Sequence, residues 1–182
     1  MHKMLKILIF TDLDGSLLDR DTFKFDEIKD YLNQLLSKGI IIIPNTSKTA
    51  KEIIKFSTEL GSSLPYISEN GSAINGLDLL NSNLPKELIL GREKENLIKI
   101  FEKSVPADLQ NKCKWLSEMD KKKQSLIFGL EDENLKIALE RKYSIPFIFE
   151  GTKSEKKELS AIVKKKGLAL QEGGRVINLT DK

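Results

Sequence analysis

Two runs of branched apolar residues, Ile7-Leu8-Ile9-Phe10 and Ile40-Ile41-Ile42-Ile43, constrain the fold of this chain more than any other feature. Neither run alternates with polar residues. The first ends in Thr11-Asp12 and the second is stopped by Pro44. Short continuous apolar runs of this kind mark strands covered on both faces. Between them Ile28, Tyr31, Leu32, Leu35 and Leu36 recur at helical spacing, with Asp26 placed to cap the start and Gly39 to end the last turn. A second helix is expected after Pro44, because Thr49 and Glu52 stand at capping-box spacing and Gly61 follows the last turn. Pro65-Tyr66-Ile67-Ser68 reads as a third strand. Strand, helix, strand, helix, strand predicts βαβ units, hence an α/β fold with a parallel sheet and right-handed crossovers. Asn70-Gly71 and Asn75-Gly76 mark tight turns flanking Ser72-Ala73-Ile74, which predicts a small hairpin beside that sheet.

Near residue 84 the pattern changes, and Pro85 opens the expected boundary between an N-terminal unit, 1–83, and a second unit, 84–180. In the second, residues 93–103 read as a helix with Leu97, Ile98 and Phe101 inward, and residues 105–123 are polar without a clear element. Ser125-Leu126-Ile127-Phe128 is strand-like and 132–142 helical. Residues 145–149 read as a strand and 153–166 as a helix, with paired strands at 168–171 and 175–179 around Gly173-Gly174. This is an α+β unit, expected as a layer over the first.

Composition excludes several function classes. The one cysteine, Cys113, rules out an intramolecular disulfide framework and a cysteine-based zinc site. A Ser-His-Asp or Cys-His arrangement would need the single histidine, His2, at the terminus. No apolar run reaches the roughly 18 residues of a membrane span, and the start reads as a strand and not a signal peptide. The net charge is only +3, and the lysine runs at 121–123 and 164–166 sit among acids without interleaved aromatics, so no nucleic-acid or membrane partner is expected. The expected setting is a reduced cytoplasm.

Asp12-Leu13-Asp14-Gly15-Ser16 follows the first strand directly. In an open parallel sheet, ligands bind beyond the carboxyl ends of strands, so both carboxylates belong to the expected site. Two such acids can divide roles: one attacks, the other handles protons, and together they attract a divalent cation. A turn or a calcium-type loop is the competing reading of Asp-x-Asp-Gly.

The acid motif after an N-terminal strand resembles the nucleophile motif of the haloacid dehalogenase superfamily. Asn45-Thr46-Ser47-Lys48-Thr49 stands where that superfamily places a phosphoryl-binding Thr or Ser, and Glu69-Asn70-Gly71-Ser72-Ala73-Ile74 is similar to the Glu-Asn-Gly segment of its Cof-like branch. Together with Gly173-Gly174-Arg175, these segments look most like the mannosyl-3-phosphoglycerate phosphatase family. The resemblance implies a Rossmann-like core carrying an α+β cap. It implies that Asp12 attacks phosphorus to form an aspartyl-phosphate, that Asp14 protonates the leaving alcohol and then activates water, and that Mg2+ is held by Asp12, the main-chain carbonyl of Asp14 and a substrate oxygen. It gives Thr46 and Ser47 to the phosphoryl group. Helix capping competes for Thr46, and a solvated side chain for Lys48, which would otherwise meet an anionic substrate group. Glu69 and Asn70 are either site residues or turn residues. Arg175 either grips a carboxylate or phosphate or is an edge-strand arginine. The expected substrate is a small phosphorylated sugar, sucrose phosphate included. The family's cap strand reads near Ser-Glu-Pro-Phe, against Gln124-Ser125-Leu126-Ile127-Phe128 here.

The superfamily also carries a charge-balancing lysine, which is either Lys182 or a residue just beyond it, and a Gly-Asp-x-x-x-Asp loop that this sequence lacks. The core is therefore expected to be incomplete at its C-terminus, with residues 6–10 forming an apolar unpaired edge. A truncated or split phosphatase follows, alone or completed by a C-terminal fragment or dimer. The alternative is a non-catalytic fragment that binds a phosphorylated ligand or a complementing chain.

Overall fold

The computed structural model describes residues 7–182; His2 and the Lys6 end of the expected first strand lie outside the described residues. The chain divides into two units, Met1–Ile89 and Leu90–Lys182.

In the first unit, β1 (Leu8–Thr11) pairs in parallel with β2 (Ile41–Pro44), Leu8 opposite Ile41 and Thr11 opposite Pro44. Helix α1 (Asp26–Ser37) connects them. Its N-cap is Phe25 without a side-chain bond, so Asp26 does not cap; Asp26 and Glu27 instead occupy the first turn, where carboxylates offset the helix dipole. Helix α2 (Ala50–Leu60) carries the expected capping box of Thr49 and Glu52 and ends at Gly61, whose φ of 82° suits glycine. It leads to β3 (Tyr66–Ser68), which joins β2 by one parallel bridge, Asn45 to Ile67. Strands β4 (Ala73–Asn75) and β5 (Glu87–Ile89) extend β3 as an antiparallel meander, so the chain after Pro85 first returns to this sheet. The core gathers Leu32 of α1, Ile53, Phe56 and Leu60 of α2, Ile42 of β2 and Leu13 and Phe25 from the connecting loop.

β1 departs from expectation in one respect. It was expected to be buried on both faces, yet Leu8, Ile9 and Phe10 are 43%, 37% and 58% exposed. The reason lies in the pairing: β1 bonds to β2 alone, and no described strand runs along its other side. Alternate residues of a strand face opposite ways, so this exposure involves both faces.

In the second unit, helices α3 (Lys94–Ser104) and α4 (Ala107–Gln110) precede β6 (Cys113–Trp115), a strand inside the stretch where the sequence showed no clear element. Helices α5 (Lys121–Phe128) and α6 (Asp132–Leu139) lead to β7 (Ser144–Phe149), then α7 (Lys153–Lys165), β8 (Leu168–Glu172) and β9 (Ile177–Asp181). The sheet runs β6-β7-β9-β8 with every pairing antiparallel. Leu97 and Phe101 of α3 and Leu159 and Val163 of α7 pack with Phe147 and Leu179, while Phe128 and Leu135 cluster with Ile148. Ser125–Phe128 is thus helical, not a strand. Asp120 accepts the Lys123 N–H (2.9 Å), Gly129 closes the helix at a φ of 67°, and Leu126 is 84% exposed. The residues Ser144-Ile145-Pro146-Phe147 lie on β7 instead.

Candidate active site

Leu13 sets the geometry of the acid loop. It is wholly buried, and its carbonyl accepts the N–H groups of Ser16, Leu17 and Leu18 (3.2, 3.0 and 2.8 Å). Gly15, at a φ of 73°, turns the chain so that its N–H donates back to the Leu18 carbonyl (2.8 Å). With Leu13 anchored inward, Asp12 and Asp14 on either side are left exposed just beyond β1. Asp12 Oδ1 accepts the Leu13 N–H at 2.7 Å.

The loop after β2 faces the same strand ends. Thr46 is buried; its N–H donates to the Ile67 carbonyl (3.1 Å) and its hydroxyl accepts the Lys48 N–H (3.4 Å). The capping role that competed for Thr46 falls to Thr49. Ser47 is half-buried beside it. The Lys48 ammonium donates to Asp14 Oδ1 (3.1 Å) and to Glu52 Oε1 (3.2 Å), so it ties the two loops together. Glu69 and Asn70 close over this loop: the Glu69 N–H donates to the Lys48 carbonyl (3.0 Å) and the Asn70 N–H to the Thr46 carbonyl (3.1 Å). Both residues hold left-handed φ values, 48° and 62°, a strain that clusters at functional sites. Glu69 is buried, and the Asn70 side-chain nitrogen is buried without a hydrogen-bond partner among the described residues.

Asp12, Asp14, Thr46, Ser47, Lys48, Glu69 and Asn70 therefore all lie in the first unit. Arg175 and Lys182 lie in the second. Arg175 donates to the Phe128 carbonyl, and the Lys182 N–H bonds the Gly167 carbonyl (3.1 Å) while its residue stays exposed. Two neighbours of the site went unnoticed in the sequence. Glu52 was read only as a cap, although its spacing from Lys48 is that of a helical ion pair. Phe23, whose ring centroid lies 4.9 Å from the Lys48 ammonium, gave no periodic signal at all. Its loop is ordered by Asp19, whose carboxyl is held below its usual value by the Thr22 N–H first, then the Thr22 hydroxyl and the Asp21 N–H.

The donor set suits a hard cation. Mg2+ typically takes one or two carboxylates and completes its shell with water and substrate phosphate. Asp12 would supply one such carboxylate and Asp14 its main-chain carbonyl; among the described residues no group of three or more Asp, Glu, His or Cys side chains assembles.

Two exposed carboxylates beyond the first strand of a parallel βαβ sheet define a class, the α/β proteins that bind ligands at their strand ends. Residues 9–166 match the model of the haloacid dehalogenase-like hydrolases, and the chain belongs to that family. It is 32% identical over 184 aligned residues to a glucosyl-3-phosphoglycerate/mannosyl-3-phosphoglycerate phosphatase of Persephonella marina, covering 97% of this chain and 67% of that protein. A phosphatase of the same name from Methanococcoides burtonii is 31% identical, with coverage of 94% and 66%. A haloacid dehalogenase-like hydrolase of B. subtilis shares the fold, with a TM-score of 0.65 at 14% identity over 96% of this chain and 73% of that one. The chain thus spans about two thirds of the length of the curated relatives it matches.

Proposed function

We propose that this chain belongs to a phosphomonoesterase acting on a glycosyl-3-phosphoglycerate or a closely related sugar phosphate. The acid loop carries the reading: two exposed carboxylates flank a buried anchor beyond β1 and face a threonine-lysine loop. The names of the two relatives supply the substrate class.

In this reading Asp12 attacks phosphorus and the leaving alcohol departs with a proton from Asp14, giving an aspartyl-phosphate. Asp14 then takes a proton from water, which attacks the phosphorus and releases phosphate and Asp12. Mg2+ held by the Asp12 carboxylate and the Asp14 main-chain carbonyl would supply the charge neutralisation that lets a carboxylate approach a phosphate dianion. Thr46 and Ser47 orient the phosphoryl oxygens. The Asn70 amide, buried with donors to spare, offers a further N–H to an anion.

Phosphate release from mannosyl- and glucosyl-3-phosphoglycerate, with sucrose phosphate and other sugar phosphates alongside, tests this reading. The parent chain should release phosphate only with Mg2+, and Asp12→Asn should lower the rate by at least about 1,000-fold. No release from a folded chain overturns activity by these residues alone. A second reading, in which the chain pairs with a complementing strand, is favoured by the exposed edge of β1.

A further inference from the structure

Either an anionic substrate group or solvent was expected to meet Lys48, yet its ammonium is already enclosed. Asp14 Oδ1 lies 3.1 Å away, Glu52 Oε1 3.2 Å, and the Phe23 ring covers a third side at 4.9 Å. The Lys48 and Glu52 side chains are only 10% and 9% exposed, against 39% for Asp14. Fixing a long flexible side chain costs conformational entropy, so a lysine held on three sides marks a point the fold keeps in place.

Each restraint has its own support. Glu52 Oε2 accepts the Thr49 N–H (2.8 Å) and hydroxyl (3.1 Å), so the start of α2 fixes the carboxylate that fixes Lys48. Phe23 sits at a φ of 57°, a conformation that bulky residues rarely adopt, and its N–H donates to the Asp19 carbonyl (3.0 Å). With one Asp14 oxygen bound to Lys48, the other is the one left to face a reacting group. Two carboxylates already balance the lysine, which argues against a role in gripping an anionic substrate.

We propose that Lys48 is a positioning residue, pinned by Glu52 and Phe23, that holds the Asp14 carboxylate in its working orientation. The inference rests on the phosphatase reading, in which Asp14 moves protons. Small misplacements of a catalytic group cost about 100-fold in rate, which sets the scale of the effect.

The test combines Lys48→Met, Lys48→Arg, Asp14→Asn and the Lys48→Met/Asp14→Asn pair. Lys48→Met should lower kcat by about 10- to 100-fold while KM and the affinity for inorganic phosphate stay within about twofold. Lys48→Arg should restore part of the loss, and Lys48→Met should change kcat no further once Asp14 is Asn. A rise in KM together with weakened phosphate binding would make Lys48 a substrate ligand and overturn the proposal. A thermal-unfolding cycle on the same variants needs no turnover: the pair should lose at least about 2 °C less in Tm than the two single losses added. Additive losses overturn the proposal. If the parent chain releases no phosphate, the phosphatase reading fails by itself, and the Tm cycle still decides whether Lys48 holds Asp14. Should Lys48→Met not fold, Phe23→Leu keeps both charges and should show the same pattern in weaker form.

Discussion

Leu13 governs the acid loop although it carries no chemistry. Its side chain is fully buried among Leu18, Phe25 and Ile42, and its carbonyl collects three N–H groups, so the neighbouring carboxylates have little freedom to turn inward. Leu13→Ala should cost about 2–5 kcal/mol in urea unfolding, the range for truncating a fully buried leucine, and should reduce phosphate release as well. A stability loss without any loss of release would separate the anchor from the site. At this scale the sequence was informative where type and spacing carry the meaning. Asp12 and Asp14 stand next to a strand end, and Thr46 follows another. Phe23 was silent, because neither a left-handed φ in an irregular loop nor a ring placed over a distant lysine leaves a periodic trace.

Among the elements, the start of α2 was legible and the short apolar run at 125–128 was not. The capping box at Thr49 and Glu52 could be read from spacing, and an equivalent one at Thr152 and Glu155 opens α7. Glu155 also bonds the Lys112 ammonium. That bond first, and the Thr152 N–H and hydroxyl next, hold its carboxyl down to about 2 from an ordinary 4.5. A carboxyl depressed by folding adds stability above its unfolded value and loses that contribution as pH falls through the folded one. Glu155→Gln should therefore melt below the parent near neutrality, and the gap should close as pH drops from about 4.5 to about 2. A gap that is constant with pH would mean the charge contributes nothing. Ser125-Leu126-Ile127-Phe128 misled because three consecutive apolar residues fit a strand or a helix equally; the decision came from Asp120 and Gly129 on either side. β6 was missed for the opposite reason: Lys114 interrupts it, and its strand character comes from pairing with β7.

For the whole molecule, the order of strands and helices in the first unit followed from two apolar runs and their punctuation. The exposed edge followed from counting the strands that could pair with β1. What the runs did not reveal was the degree of exposure, since an all-apolar strand ordinarily signals cover on both sides. Such an edge invites pairing with another copy. Light scattering should show self-association that grows with concentration, and Phe10→Lys, at a position 58% exposed, should raise its onset. An unchanged onset would place the adhesive surface elsewhere. The two units are also consecutive along the chain, meeting once after Ile89. During synthesis, at about 5–20 residues per second, the acid loop and its lysine clamp are therefore complete several seconds before the second unit is finished. The bare side of β1 is open throughout that interval, and no described strand pairs with it afterwards.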